Sequence, residues 1–171
     1  MNVVDSSGWM EYLQDTPRAD FFAAAIEDRN HLLVPTIALF EVHRVLSRSL
    51  NADLVNRCLD VMRLGRVLDL TDARAVAAAQ IAARHKLAMA DAAMYAMARE
   101  FDATFWTQDA DYQGMDGVLY QPKPGACAWR RARLAVQTRF LRKNAGVLSR
   151  VPASMARMHK DGLAGTHGCS A

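Results

Sequence analysis

The chain has 171 residues and a formal net charge of +3, and 51% of its residues are hydrophobic. This length suits one domain better than two, and no apolar run approaches the roughly 18–20 residues that a membrane-spanning helix needs. The first residues also lack the basic and apolar regions of a secretory signal. The three cysteines, Cys58, Cys127 and Cys169, have no spacing typical of a zinc site. We therefore expect reduced thiols and a cytoplasmic protein with no membrane partner.

The charge is divided unevenly along the chain. Residues 1–121 carry 11 basic and 17 acidic side chains, a formal charge of −6. Residues 122–171 carry 10 basic side chains and one acid, a formal charge of +9. We expect two parts with different physical roles, a folded domain at 1–121 and a basic C-terminal extension at 122–171.

Short apolar segments alternate with helical patterns along residues 1–121. The apolar segments predict five strands, at Asn2–Val4, Leu32–Val34, Val67–Leu70, Ala103–Trp106 and Val118–Tyr120. The helical patterns predict a short helix near Trp9, one containing Phe21–Ile26, one from Pro35 to about Leu50, and others at Ala52–Leu64, from Thr71 to about Lys86, and at Asp91–Phe101. This alternation favours an α/β fold of three layers, with a short central parallel sheet flanked by helices.

The extension lacks this alternation. The segment Pro122–Gly125 breaks regular structure. The pattern indicates one helix over about Ala128–Lys143, with a thin apolar stripe, and disorder after Gly146. The extension is therefore expected to be partly helical or disordered rather than a second domain.

Four acids stand on or beside apolar segments of the domain: Asp5, Glu41, Asp91 and Asp109. Asp5 and Asp109 follow predicted strands, and ligands of parallel sheets bind beyond the carboxyl ends of strands. Acidic side chains are rarely buried unless they are paired or bind a cation. A carboxylate set without His or Cys favours Mg²⁺ or Mn²⁺ over zinc. The acids thus predict a shared metal site, whose chemistry suits phosphodiester hydrolysis.

Simpler interpretations exist for three of the four acids. Asp5 and Asp91 could each cap the helix that follows. Asp109 and the nearby Asp111 could be turn residues. On this interpretation the protein would be a non-catalytic α/β scaffold that acts by binding a partner.

Glu41 is harder to explain in this way. Its helical neighbours at four-residue spacing are Ile37 and Val45, which predicts that Glu41 lies on the buried stripe of its helix. Arg44, three residues further on, could form an ion pair with it.

Four segments resemble conserved motifs of the PIN-domain ribonucleases, in the same order and spacing: Val3–Trp9, Phe40–Val42, Met89–Ala92 and Thr107–Tyr112. Among these enzymes the chain is most similar to the VapC toxins of bacterial toxin–antitoxin pairs. The resemblance covers about residues 1–121. A single motif of this kind is weak, but four in order are specific.

The resemblance implies an endoribonuclease that depends on Mg²⁺, with Mn²⁺ as a substitute. Asp5, Asp91 and Asp109 would bind the metal, and Glu41 would act on bound water. The supporting positions, two small hydroxyls and an outer acid, would be Ser7, Thr107 and Asp111. The implied partners are an RNA substrate, a second copy of the chain, and an antitoxin that blocks the site with a peptide segment. A metal nuclease acting on DNA is the alternative within the enzyme class.

The extension departs from the family pattern, since such proteins commonly end soon after the segment that matches Gly117–Tyr120. It could add RNA affinity through phosphate contacts. It could equally be a read-through or frame-shifted end, and the poor apolar pattern favours this second interpretation.

Overall fold

The computed structural model describes residues 1–123, and in them the predicted alternation of strands and helices is confirmed. The strands are β1 (Asn2–Val4), β2 (Leu32–Pro35), β3 (Arg66–Leu68), β4 (Thr104–Thr107) and β5 (Val118–Tyr120). The helices are α1 (Ser6–Leu13), α2 (Ala19–Ile26), α3 (Thr36–Leu46), α4 (Ala52–Met62), α5 (Asp72–His85) and α6 (Met89–Glu100). A short 3-10 helix spans Ala110–Tyr112. The predictions for the extension beyond residue 123 lie outside the described residues.

The five strands form one sheet in the order β3-β2-β1-β4-β5, and all neighbouring pairs are parallel. The chain moves outward from β1 through β2 to β3, then returns to the other side of β1 to form β4 and β5. Because such crossovers are almost always right-handed, this reversal places the helices before and after it on opposite faces of the sheet. The predicted α/β fold with a central parallel sheet flanked by helices is confirmed.

The core lies on both faces of β1. Val3 and Val4 are consecutive strand residues, so their side chains point to opposite faces, and both are fully buried. Trp9 of α1, Phe22 of α2 and Met97 of α6 are buried as well. Within residues 1–123, none of the helices is long and apolar enough to cross a membrane.

Two helix ends differ from the predicted ones. The helix α6 begins at Met89, two residues before the predicted start, and its N-cap Ala88 has no side-chain hydrogen bond. Asp91 therefore lies inside the first turn. The helix α3 ends at Leu46, where the carbonyl accepts hydrogen bonds from the backbone of Ser49 at 3.0 Å and Leu50 at 2.9 Å. The helix thus ends in a hydrogen-bonded turn, four residues before the predicted end.

We predict that Gly8→Ala destabilises the fold. A Cβ atom at Gly8 would lie 2.6 Å from the Phe22 ring and 2.7 Å from Val4 Cγ1, and overpacking of a core costs about 1–3 kcal/mol. Helix propensity alone would favour alanine over glycine by about 1 kcal/mol. Urea denaturation measures the net change. Ala24→Gly, on the exposed side of α2, measures the propensity effect separately. A Gly8→Ala protein as stable as wild type would contradict the close packing.

Candidate active site

The carboxyl ends of β1 and β4 lie side by side, at the point in the sheet where the order of the strands reverses. In open α/β sheets, ligands bind in the crevice at this switch point. Asp5 directly follows β1, and Asp109 comes two residues after the end of β4. The topology therefore places both acids at the mouth of one crevice.

Asp5 is buried and held by three neighbouring groups. Its carboxylate accepts a hydrogen bond from the backbone N–H of Gly8 at 2.6 Å, so it caps α1. The hydroxyl of Ser7 donates to it at 3.0 Å, and Thr107 Oγ1 donates at 2.6 Å from the end of β4. Thr107 Oγ1 in turn accepts from the backbone N–H of Asp109 at 2.9 Å. The simpler interpretation of Asp5 as a cap thus holds, and the same carboxylate also links β1 to the segment that carries Asp109.

The pKa of Asp5 is raised from 3.8 to about 6. Burial is the main cause, because a charged carboxylate loses its hydration there. The hydrogen bonds from Thr107, Gly8 and Ser7 act in the opposite direction, and the negative charge of Asp109 raises the pKa further. A buried, ionised carboxylate with another acid beside it is a local excess of negative charge.

Asp91 lies in the first turn of α6 and is partly buried. Since the N-cap of α6 is Ala88, the interpretation of Asp91 as a helix cap is wrong. Its pKa is raised, first by burial and then by the charges of Glu41, Asp109 and Asp111. These acids come from two other parts of the chain, so folding brings them into one electrostatic environment with Asp91.

Glu41 is not on the buried stripe of α3, and that expectation was wrong. The buried residues of α3 are Ala38, Val42 and Leu46, whereas Glu41 is partly exposed. Glu41 precedes Val42 by one position, about 100° around the helix, which places it at the edge of the stripe. No ion pair between Glu41 and Arg44 is formed in the described part of the chain. The charge of Glu41 acts instead on Asp91.

Asp109 caps the 3-10 helix by accepting a hydrogen bond from the backbone N–H of Asp111 at 3.1 Å. The interpretation as turn residues thus applies to both acids. Asp109 is partly exposed and Asp111 is exposed. Their charges nevertheless reach the partly buried Asp91, so the turn role does not exclude a role in the site.

Tyr112 was missed by the sequence reasoning. It is 1% exposed, and burial together with the charges of Asp91, Asp5 and Asp109 raises its pKa well above the usual range of a tyrosine. The hydroxyl and the Asp91 carboxyl interact, but the hydroxyl makes no hydrogen bond of normal geometry within residues 1–123. Its position three residues after Asp109, in the run Asp109–Tyr112, was the available signal.

A second missed group anchors the segment after β4 to α1. The side chain of Gln108 is buried and donates to Glu11 Oε1 at 2.9 Å. Glu11 is buried as well and accepts from the hydroxyl of Thr16. Arg18 donates to the amide oxygen of Gln108. These bonds fix the residue next to Asp109 against the helix that Asp5 caps.

The chemistry of the four acids fits a hard divalent cation. Carboxylate oxygens are the ligands that Mg²⁺ and Mn²⁺ prefer, and the charged groups that most affect Asp5 and Asp91 are other carboxylates. A cation would relieve this repulsion. Among residues 1–123, however, no group of three or more His, Cys, Asp or Glu side chains forms a ready-made cage. The acids would have to draw closer together around a bound ion.

We predict that Asp5→Asn stabilises the metal-free protein at neutral pH. The pKa of Asp5 in the folded protein, about 6, exceeds the ordinary value of 3.8. Ionisation therefore destabilises the fold above about pH 6, by up to about 3 kcal/mol, and this effect disappears below about pH 4. Asn retains the cap, since it is as good an N-cap as Asp.

Urea denaturation in EDTA at pH 4.5 and pH 7.5 measures this difference. The stability gain of Asp5→Asn should grow as the pH rises. Asp53→Asn, on the exposed N-terminal turn of α4, is the control. A gain that is equal at both pH values would contradict the burial of an ionisable Asp5.

Comparisons with known proteins agree on one family. A family model for the PIN domain matches residues 3–118. No curated protein sequence matches the chain. A toxin–antitoxin complex from Klebsiella pneumoniae has a similar structure, with 16% identity and a TM-score of 0.60, over 70% of this chain and 96% of the other.

Two further solved structures are similar. VapBC2 from Rickettsia felis, bound to a DNA fragment from its promoter, has 12% identity and a TM-score of 0.56, over 71% of this chain and 97% of the other. VapC20 of Mycobacterium tuberculosis, a toxin that cleaves the sarcin–ricin loop, has 18% identity and a TM-score of 0.56, over 66% and 92%. At these identities the likeness establishes the fold. Because the family model spans more than half of the chain, the protein belongs to the PIN-domain family.

Proposed function

We propose that the protein is a metal-dependent endoribonuclease and the toxin of a toxin–antitoxin pair. The observation that carries the proposal is the electrostatic coupling of Asp5, Glu41, Asp91 and Asp109 at the switch point of the sheet. Perturbed carboxylates that share a crevice are typical of functional sites. Membership of the PIN-domain family supports the same conclusion.

Asp5, Asp91 and Asp109 would hold the metal. Asp5 is oriented by its hydrogen bonds to Gly8 and Thr107. Asp91 and Asp109 would supply the remaining protein oxygens. When bound, a Mg²⁺ or Mn²⁺ ion supplies a Lewis acid that offsets charge on a phosphoryl group and makes bound water more acidic.

Glu41 would act as the proton acceptor. It is partly exposed and lies close enough for its charge to act on Asp91. A carboxylate in this position reaches both solvent and the acids, so it can take the proton that an attacking water loses. Ser7 and Thr107 would support the site by keeping Asp5 in place, and Asp111 would be an outer acid.

RNA is the substrate that we propose, with DNA as the alternative that the cleavage assay below also tests. The domain at 1–121 has a formal charge of −6, so attraction to any nucleic acid is weak and recognition would depend on RNA shape and unpaired bases. The similar structure from Klebsiella pneumoniae is a toxin–antitoxin complex, and VapC20 of Mycobacterium tuberculosis is a toxin. They support an antitoxin partner. We further propose a homodimer that acts in the cytoplasm.

We predict that cleavage of RNA depends on the metal and on the acids. Purified protein should cut a total RNA pool in Mg²⁺ but not in EDTA. Asp91→Asn should lower the rate at least about 100-fold, and Glu41→Gln about 10²–10⁴-fold, as for the loss of a general base. The matched control is Asp53→Asn, an exposed acid in the first turn of α4 that is not among the charges that most affect Asp5 and Asp91. It should cut as wild type does.

The same assay with DNA decides between the two nucleic acids. Cleavage of RNA that persists in EDTA and in Asp91→Asn would contradict the proposal. So would cleavage of DNA alone.

We predict that Mn²⁺ raises the thermal midpoint of the wild-type protein. An ion at 100 times its dissociation constant stabilises the fold by about 2.7 kcal/mol. Asp5→Asn and Asp91→Asn should remove most of this effect, whereas Asp53→Asn should keep it. Differential scanning calorimetry with and without EDTA measures the shift. A non-catalytic scaffold would show the same small shift in all four proteins.

A further inference from the structure

The hydroxyl of Tyr112 is a buried polar group without a hydrogen bond of normal geometry in residues 1–123. The side chain is 1% exposed. Burying a hydroxyl without a partner is unfavourable, and most buried polar groups in proteins are paired. The position of this hydroxyl therefore requires a physical reason.

The ring of Tyr112 has little freedom to turn the hydroxyl elsewhere. Its centroid lies 4.8 Å from that of Phe105 in β4 and 6.0 Å from that of Tyr95 in α6. The backbone N–H of Tyr112 donates to the carbonyl of Asp109 at 3.3 Å. Packing and backbone together thus hold the ring in place.

The hydroxyl lies close to several acids. The groups whose charges most affect it are Asp91, Asp5 and Asp109, with Asp91 first. Surrounded by negative charge, the phenol stays protonated and can only donate to a carboxylate. Among these acids, Asp5 already accepts from Gly8, Ser7 and Thr107, and Asp109 accepts from Asp111. The Tyr112 hydroxyl and the Asp91 carboxyl interact, although no hydrogen bond of normal geometry joins them among residues 1–123, so Asp91 is the best-placed acceptor.

We propose that Tyr112 is a positioning residue of the metal site, whose hydroxyl donates to one oxygen of Asp91 and leaves the other free to face Asp5 and Asp109. The inference rests on the proposed function, since it concerns how the same acids hold the ion. A slight approach of Asp91 would complete the bond. Donors that orient a metal-binding carboxylate in this way typically change metal affinity about 10–100-fold when removed.

The test compares Tyr112→Phe with Tyr95→Phe in the full chain. Both changes remove one hydroxyl from the same aromatic cluster and keep the ring. The hydroxyl of Tyr95 donates to the backbone carbonyl of Asp116 at 2.8 Å, away from the acids. Titration calorimetry gives the Mn²⁺ affinity of each protein, and scanning calorimetry in EDTA gives its thermal midpoint.

The expected result separates affinity from stability. Tyr112→Phe should bind Mn²⁺ about 10-fold more weakly, while its midpoint in EDTA stays equal to that of wild type or rises, because an unpaired buried hydroxyl is gone. Tyr95→Phe should lose a hydrogen bond, so its midpoint falls while its Mn²⁺ affinity is unchanged. This opposite behaviour would not arise from a merely structural role.

Three results would overturn the inference. If Tyr112→Phe binds Mn²⁺ as wild type does, Tyr112 does not position the site, and the proposed function stands. If both variants weaken binding equally, or if Tyr112→Phe also lowers the midpoint, the effect belongs to the aromatic cluster as a whole. If wild type itself does not bind Mn²⁺, the inference and the proposed function both fail.

Discussion

The rest of the site depends on the burial of the Asp5 carboxylate at the end of the central strand. Burying an ionised carboxylate is energetically unfavourable, and this cost raises the pKa of Asp5 to about 6. The hydrogen bonds from Gly8, Ser7 and Thr107 reduce it but do not remove it. They also link α1 and the end of β4 to the carboxylate that follows β1. The fold therefore holds a negative charge at a fixed point where only a cation would fully compensate it.

The topology supplies the other acids around this point. Since β1 lies between β2 and β4, segments that are about 100 residues apart in the sequence meet at one edge of the sheet. Asp109 follows the strand beside Asp5. Asp91 lies in the first turn of α6, where the helix dipole favours a negative charge. Asp5, Asp91 and Asp109 each have a local reason for their place, as a cap or in a first turn, and the repulsion among the acids is the property that local structure does not explain.

The sequence predicted the alternation of strands and helices because strands buried on both faces and amphipathic helices leave clear patterns. It predicted the start of α6 less well, since the N-cap Ala88 offers no capping side chain to mark it. The burial of Glu41 was overestimated, because a single position separates the edge of a helical stripe from its centre. Tyr112 was not found at all. Its polar sequence neighbours, Asp111 and Gln113, give no sign that the side chain is buried, and the role of its hydroxyl becomes visible only when the fold brings it beside Asp91.

Anomalous diffraction from crystals grown with MnCl₂ tests most directly the claim that these acids form one metal site. A single shared site predicts a manganese peak between Asp5, Asp91 and Asp109, absent in crystals of Asp91→Asn. A peak elsewhere on the domain, or none at saturating Mn²⁺, would contradict it.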